Sequence, residues 1–349
     1  MPEVTSAGVP PIRLTVAIPT YNRHECLVST IKRLIPQLTP ECQLLIVDNA
    51  SQPSAIDAVG GVLAEFGISS ARVVRNNTNI GGNANIVRCM ELCESEWLWI
   101  VSDDDRIWDD AVEKIFDGID NQPTCICVNF AQSSHPRSEA STTCGRTEFL
   151  NMVGRHFYTL LFVSTSVYKV KAILPFIAHG YMQIASCAPH LAVLLMAING
   201  SGKVHFSEKT IVEYIPARKG SGWSQFWVER GFPLLLDLPL EARDRDLLRK
   251  ALGSRLELRG ILAAYVDVLC YGLRARDLAV CAQLYRMMAL RRASVARSPI
   301  EWLVIHGLLT TLHAPSLAVR AMRPVYRVAK GQALEERAAC VGLSLDERV

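Results

Sequence analysis

Val16-Ala17-Ile18-Pro19-Thr20-Tyr21-Asn22-Arg23 is an apolar, partly β-branched run that meets a proline and opens into a polar loop. Leu14 to Ile18 reads as a strand, and the amphipathic spacing of Ser29 to Leu38 reads as the helix that follows it. The pattern then recurs. Leu44 to Val47 stops at Asp48-Asn49-Ala50-Ser51 and leads to a helix over Ile56 to Phe66; Arg72 to Arg75 is followed by the polar loop Asn76 to Asn83 and a helix over Ile86 to Cys93. Trp97 to Val101 stops at Ser102-Asp103-Asp104-Asp105, before a helix beginning near Asp110. Strands alternating with helices at this spacing predict an α/β fold with a mostly parallel central sheet, which binds ligands beyond the carboxyl ends of its strands. All four polar clusters fall at such ends.

Further strand-like runs lie at Thr124 to Phe130, Phe162 to Val170 and Lys209 to Tyr214. Beyond about residue 230 the pattern changes to helix-like segments, Leu247 to Tyr271, Asp277 to Arg292 and Ile300 to Leu312, punctuated by arginines. The expected organisation is a sheet domain over 12–230 and a helical C-terminal region over 231–349.

The chain has 349 residues, half of them hydrophobic and a fifth charged, which excludes a disordered or fibrous protein. Its net charge of +3 gives no reason to expect nucleic acid as a partner. The 11 cysteines are odd in number and scattered through apolar segments, as core thiols are in a reducing compartment. Cys125 and Cys127 are too close for the usual metal knuckle. No charged residue occurs from Ala172 to Gly202, but Pro175, His179, Gly180, Pro189 and His190 interrupt the stretch, leaving Leu191 to Ile198 as the one continuous apolar run. That is far short of a membrane span and predicts a buried helix. The first eleven residues carry no positive region followed by an apolar stretch, so the expectation is a cytoplasmic protein.

Three strand ends deliver Pro19-Thr20-Tyr21-Asn22-Arg23, Asp48-Asn49 and Asn79-Ile80-Gly81-Gly82 to one edge of the sheet. Tyr21 can stack on a nucleobase, Asp48 can accept a base proton, and the glycines let backbone approach a ribose or phosphate. Asp48 and Asn49 equally suit simple turn and helix-cap roles. Neither of the two common phosphate loops, G-x-G-x-x-G after the first strand or G-x-x-x-x-G-K-[ST], is present. Asp103-Asp104-Asp105 offers another solution, because three neighbouring carboxylates repel unless a divalent cation with oxygen ligands neutralises them together with a diphosphate. A solvated acidic turn capping the next helix is the plainer alternative.

Val16 to Arg23, Leu45 to Ser51, Asn79 to Gly82 and Ser102 to Asp105, in this order, resemble family 2 glycosyltransferases of GT-A fold, a likeness that covers roughly residues 12 to 120. The resemblance implies an inverting transfer from a nucleotide-sugar, aided by Mg²⁺ or Mn²⁺. It also implies that Pro19, Tyr21 and Asp48 hold the base, and that Asp103 and Asp105 form the Asp-x-Asp element bridging ribose, diphosphate and metal, with Asp104 able to replace either. Thr20, Asn22, Arg23, Asn49, Asn79, Gly81 and Gly82 complete the expected donor pocket.

The family commonly places a catalytic Asp at a helix start some way beyond the metal motif, but nothing acidic lies between Glu148 and Glu208 here. His190, after Pro189 at an expected helix start, occupies that place and resembles a Pro-His-Leu pattern of some O-antigen and capsule sugar transferases. A histidine suits a general base, though such a residue is also often structural. Glu208, Glu213 and His179 are its competitors. Arg218 opens the segment Arg218 to Ser224, which reads either as a lid over the diphosphate or as a plain surface loop.

The expectation is therefore a metal-dependent, inverting transferase acting on a glycan or polyprenyl-linked acceptor in surface polysaccharide synthesis. Its rivals are a nucleotidyltransferase, whose usual Gly-rich, Lys-containing loop is missing, and a degenerate nucleotide-sugar-binding scaffold. The basic C-terminal helices would either lie on the inner face of an anionic membrane or pack as a helical domain.

Overall fold

The computed structural model describes residues 10–67, 71–213, 231–253, 261–262, 265 and 278–313. Nine strands form one mixed sheet: β1 Leu14–Thr20, β2 Cys42–Asp48, β3 Arg72–Arg75, β4 Trp97–Ile100, β5 Arg106–Ile107, β6 Cys125–Gln132, β7 Ser141–Cys144, β8 Ser166–Lys169 and β9 Lys203–Glu213. Their order is β3-β2-β1-β4-β8-β6-β9-β5, with β7 also paired to β9. The first four strands pair in parallel, as expected from the alternating pattern. The antiparallel β8 then joins β4 to β6, which again runs parallel to β9. The carboxyl ends of β1, β2, β4, β6 and β9 thus share one edge.

Helices α1 His24–Leu34, α2 Ala55–Glu65 and α4 Ala111–Asn121 cover one face of this sheet. They bury Leu27, Ile31, Val59, Leu63, Ile115 and Ile119 against Leu14, Val16, Ile18, Leu44, Ile46, Trp97 and Trp99. Each such side chain contributes about 1.5–3 kcal/mol of burial. Helix α3 Gly82–Glu91 packs against β1, β2 and β4 and buries Ala84, Val87 and Met90. Helix α5 is Arg146–Leu161, and α6, Pro189–Ala197, is buried at every position except Met196. The continuous apolar run of the uncharged stretch thus lies in a core helix, whereas the residues before it form short helical turns that leave Tyr181 and Met182 exposed.

Strand β1 continues through Pro19 to Thr20. The Ala17 carbonyl bonds the Val101 amide, and Pro19, two residues on, faces the same side just where β4 has ended, so its missing N–H loses no ladder bond. Helix α1 lies earlier than the amphipathic spacing indicated, because the chain tightens into a 3₁₀ turn around Pro36. Cys42, Cys89, Cys93, Cys125, Cys127 and Cys187 are buried thiols, as core cysteines should be.

The chain divides into two compact units, one of residues 1–152, 156–184 and 189–215, the other of 153–155, 185–188 and 216–349. The second contains helices α7 Ala242–Gly253, α8 Leu278–Ala293 and α9 Pro299–Thr311. Ser298 caps α9 by accepting the Glu301 amide, and the Glu301 carboxylate accepts the Arg297 amide and pairs with the fully buried Arg292.

Candidate active site

Hydrogen bonds stitch the first two strand-end loops together. The Asn22 amide donates to Ser51 Oγ at 3.0 Å, and Asn22 Oδ1 accepts the Gln52 amide at 2.7 Å. Asn22 and Ala50 both adopt positive φ, 51° and 66°, which the pair of linked turns imposes on two non-glycine residues. Tyr21, between them, is 41 % exposed.

Asp48 lies buried at the carboxyl end of β2. Its Oδ1 accepts the Ser51 amide at 2.8 Å, and Oδ2 accepts the Ala55 amide at 3.0 Å and Arg75 Nη1 at 2.7 Å. Burial acts to raise its pKa, but the bonds from Ser51, Ala55 and Arg75 outweigh it and hold the carboxyl below the usual range. Asp48 therefore shapes the loop that carries Asn49.

Asn49 ties this loop to the third. Its Nδ2 donates to Asn79 Oδ1 at 2.7 Å, while its Oδ1 accepts Asn76 Nδ2 at 3.0 Å and the Ile80 amide at 2.9 Å. Asn76 also donates to Asn85 Oδ1, and Asn85 donates to the Val47 carbonyl. Asn79 Oδ1 further accepts the Gly81 amide. Gly81, at φ 86°, sets the entry to α3 in a backbone region that favours glycine, and no side chain caps that helix. Asn76, Asn85 and Arg75 were not foreseen as site residues. Their signal was present: Asn76 opens the polar loop after β3, Asn85 is an asparagine on the buried face of α3, and Arg75 is a charge at a strand end.

The acidic turn after β4 completes the edge. Thr20 Oγ1 donates to Asp103 Oδ2 at 2.7 Å, and Thr30 Oγ1 donates to the Asp103 carbonyl at 2.9 Å. Arg23 forms an ion pair with Asp103 at 2.7 Å and with Asp104 at 2.5 Å. Asp104 is exposed and also accepts Ser102 Oγ, whereas Asp103 and Asp105 are buried. Asp105 accepts the hydroxyl of Ser164. Burial pushes the carboxyl of Asp103 up to about 6 in spite of Arg23 and Thr20, and that of Asp105 up to about 7 in spite of Ser164. Pro19, Thr20, Tyr21, Asn22, Arg23, Asp48, Asn49, Asn79, Gly81, Gly82 and Asp103 to Asp105 thus lie on one edge, in loops that these bonds link.

His190 belongs to a different environment. It is buried in α6, and its Nε2 lies 3.0 Å from the Leu160 carbonyl, so Nε2 carries the proton. Nδ1 then holds the lone pair, buried and without a hydrogen-bond partner. Burial lowers the ring's pKa to about 4 even though the Leu160 and Leu161 backbone raises it. A neutral imidazole enclosed in this way favours a structural role for His190 over that of a general base. Among its competitors, Glu213 ends β9 opposite Arg106, one residue from Asp105, and pairs with that arginine at 3.3 Å. Glu208 is exposed on the same strand. Arg218 and the segment Arg218 to Ser224 lie outside the described residues.

Comparison with known proteins agrees with this geometry. Residues 15–161 match the model of glycosyl transferase family 2. An uncharacterized glycosyltransferase of Mycoplasma pneumoniae, the MG060 homolog, is 24 % identical over 106 residues, which are 30 % of this chain and 36 % of that one. The matches span little more than a third of the length of the curated relatives. Among solved structures, S. aureus TarS 1-349 in complex with UDP superposes with a TM-score of 0.59 at 15 % identity, covering 92 % of each chain. Mannosyltransferase PcManGT from Pyrobaculum calidifontis, in complex with GDP-Man and Mn2+, gives a TM-score of 0.50 at 13 % identity, covering 97 % of this chain and 89 % of that one. Residues 15–161, which carry the three linked loops and the acidic turn, are thus a glycosyl transferase family 2 domain, on a fold shared with these GT-A sugar transferases.

Proposed function

We propose that the protein transfers a sugar from a nucleotide-sugar donor to an acceptor hydroxyl, inverting the anomeric centre, with a divalent cation at Asp103 and Asp105. The observation that carries this reading is the buried acidic turn at the sheet edge, framed by the loops of Tyr21, Asn49 and Gly81.

The residues fit a cation. Two buried carboxylates with raised pKa values are oxygen ligands whose charge wants compensation beyond that of Arg23. Among the described residues no group of three or more His, Cys, Asp or Glu side chains converges as a metal site. Mg²⁺ and Mn²⁺ take one or two carboxylates and complete their shells with substrate phosphates. When bound, such an ion neutralises the charge that develops on the leaving diphosphate. Tyr21 offers its face to the base, Asp48 and Arg75 hold the loop beneath it, and the uncapped start of α3 presents backbone N–H groups. Direct displacement then needs the acceptor oxygen aligned behind the anomeric carbon. PcManGT and TarS, solved with GDP-Man and with UDP, support a nucleotide-sugar as the donor class. We further assign a glycan or polyprenyl-linked acceptor, as in surface polysaccharide synthesis, from the family resemblance alone.

Stacking is made equally in the ground and transition states, so Tyr21→Ala should raise the donor KM more than it lowers kcat. Calorimetry with UDP and GDP should show the matching loss of affinity. An unchanged affinity for the nucleotide that wild type binds would refute the base subsite.

A further inference from the structure

Ser164 sits in a single 3₁₀ turn, Val163–Thr165, immediately before β8 and about sixty residues from the acidic turn. It is fully buried, and its hydroxyl and carbonyl are both directed at β4 and the acidic turn that follows it. Its Oγ accepts the Ser102 amide at 3.0 Å and donates to Asp105 Oδ2, while its carbonyl accepts Trp99 Nε1 at 2.8 Å. A serine hydroxyl has one proton and two lone pairs. Because the Ser102 partner is an N–H, that bond consumes a lone pair, and the single proton goes to Asp105. One hydroxyl therefore grips both ends of Ser102-Asp103-Asp104-Asp105 and fixes its polarity toward the carboxylate. Among the described residues no other side chain donates to Asp105.

We infer that Ser164 is a positioning residue: its hydroxyl holds the Asp105 carboxylate in the orientation that leaves Oδ1 available to a divalent cation. This rests on the reading of Asp103 and Asp105 as cation ligands and extends it to a residue outside the motif. A carboxylate on a short turn has two rotatable side-chain bonds, so without this anchor Asp105 must lose that freedom when it binds. Groups that orient ligands typically change metal affinity about 10- to 100-fold when removed.

The test is Mn²⁺ binding by the full-length folded protein, read from the electron paramagnetic resonance signal of free Mn²⁺, with UDP and with GDP present in turn. Ser164→Ala removes the hydroxyl and keeps the carbonyl bond to Trp99. It is expected to weaken Mn²⁺ affinity about tenfold or more. Ser164→Cys, similar in shape but a weaker donor, should fall between Ala and wild type. A role confined to folding would lower the melting temperature and leave the Mn²⁺ affinity of the folded fraction unchanged, and that result would overturn the inference. Wild-type protein that binds no Mn²⁺ with either nucleotide would instead overturn the cation reading on which the inference rests.

Discussion

Asp103 and Asp105 are ionisable groups placed where ionisation is costly, and this has a measurable sign. Their carboxyls are held up to about 6 and about 7, against roughly 3.9 for an unfolded Asp. Between about pH 4 and 7 the folded protein therefore keeps protons that the unfolded chain has released, and these groups make stability fall as pH rises through that window. In chelator, Asp105→Asn should gain stability relative to wild type on going from pH 5 to pH 8. Adding Mn²⁺ at pH 8 should stabilise wild type more than the variant. Thermal unfolding at the two pH values checks both, and a wild type that loses nothing relative to the variant would contradict the burial argument. Asp103, Asp105 and Tyr21 stand out in the sequence because each closely follows an apolar strand, and Gly81 because the polar loop that holds it must turn into α3. Ser164 was not, since its significance arises only when β8 is laid antiparallel beside β4. Nor was the enclosure of Asp48, which depends on Arg75 from the neighbouring strand.

Among the elements, the first four strands and the helices between them follow directly from apolar runs broken by polar ends. Strands β5 and β7 escaped notice because they are short and partly polar, and they exist only by pairing with β9. β9 itself is longer than its apolar pattern suggests, since Lys203, His205, Ser207 and Glu208 interrupt a strand held by neighbours on both sides. Helix α6 was recognised as buried, but periodicity could not tell whether its histidine served the core or the reaction. Burial depresses His190 to about 4, below the ordinary 6.5, so the folded state binds fewer protons than the unfolded chain between those values, and its contribution is lost as pH falls through them. This is opposite in sign to the aspartates. His190→Ala should lower stability by about 1–3 kcal/mol by leaving the Leu160 carbonyl without its donor. Its kcat, measured well below the melting temperature, should stay within a few-fold of wild type. A large loss of kcat at unchanged stability would restore His190 as the base.

For the whole molecule, the second unit is helical over its longer described segments. Helix α9 packs Ile305 and Leu309 inward yet leaves Ile300, Trp302 and Leu303 exposed, and no helix among the described residues is long and apolar enough to cross a membrane. Such a face suits shallow burial in a lipid headgroup layer. The full chain is expected to sediment with anionic vesicles at low salt, less so in high salt, and less again after Ile300→Ser and Leu303→Ser. Absence of sedimentation at low salt would end that expectation. The other unit carries, at its sheet edge, the buried pair of carboxylates proposed to support sugar transfer from a nucleotide-sugar. The most direct measurement is mass analysis of nucleoside diphosphate and glycosylated product after incubation with a panel of nucleotide-sugars, lipid-linked acceptor and Mn²⁺, for wild type and Asp105→Asn. Wild type is expected to give product from at least one donor, lowered about a hundredfold or more in the variant and by chelator. Undiminished product from Asp105→Asn in excess chelator, or none from wild type with any donor, would contradict it.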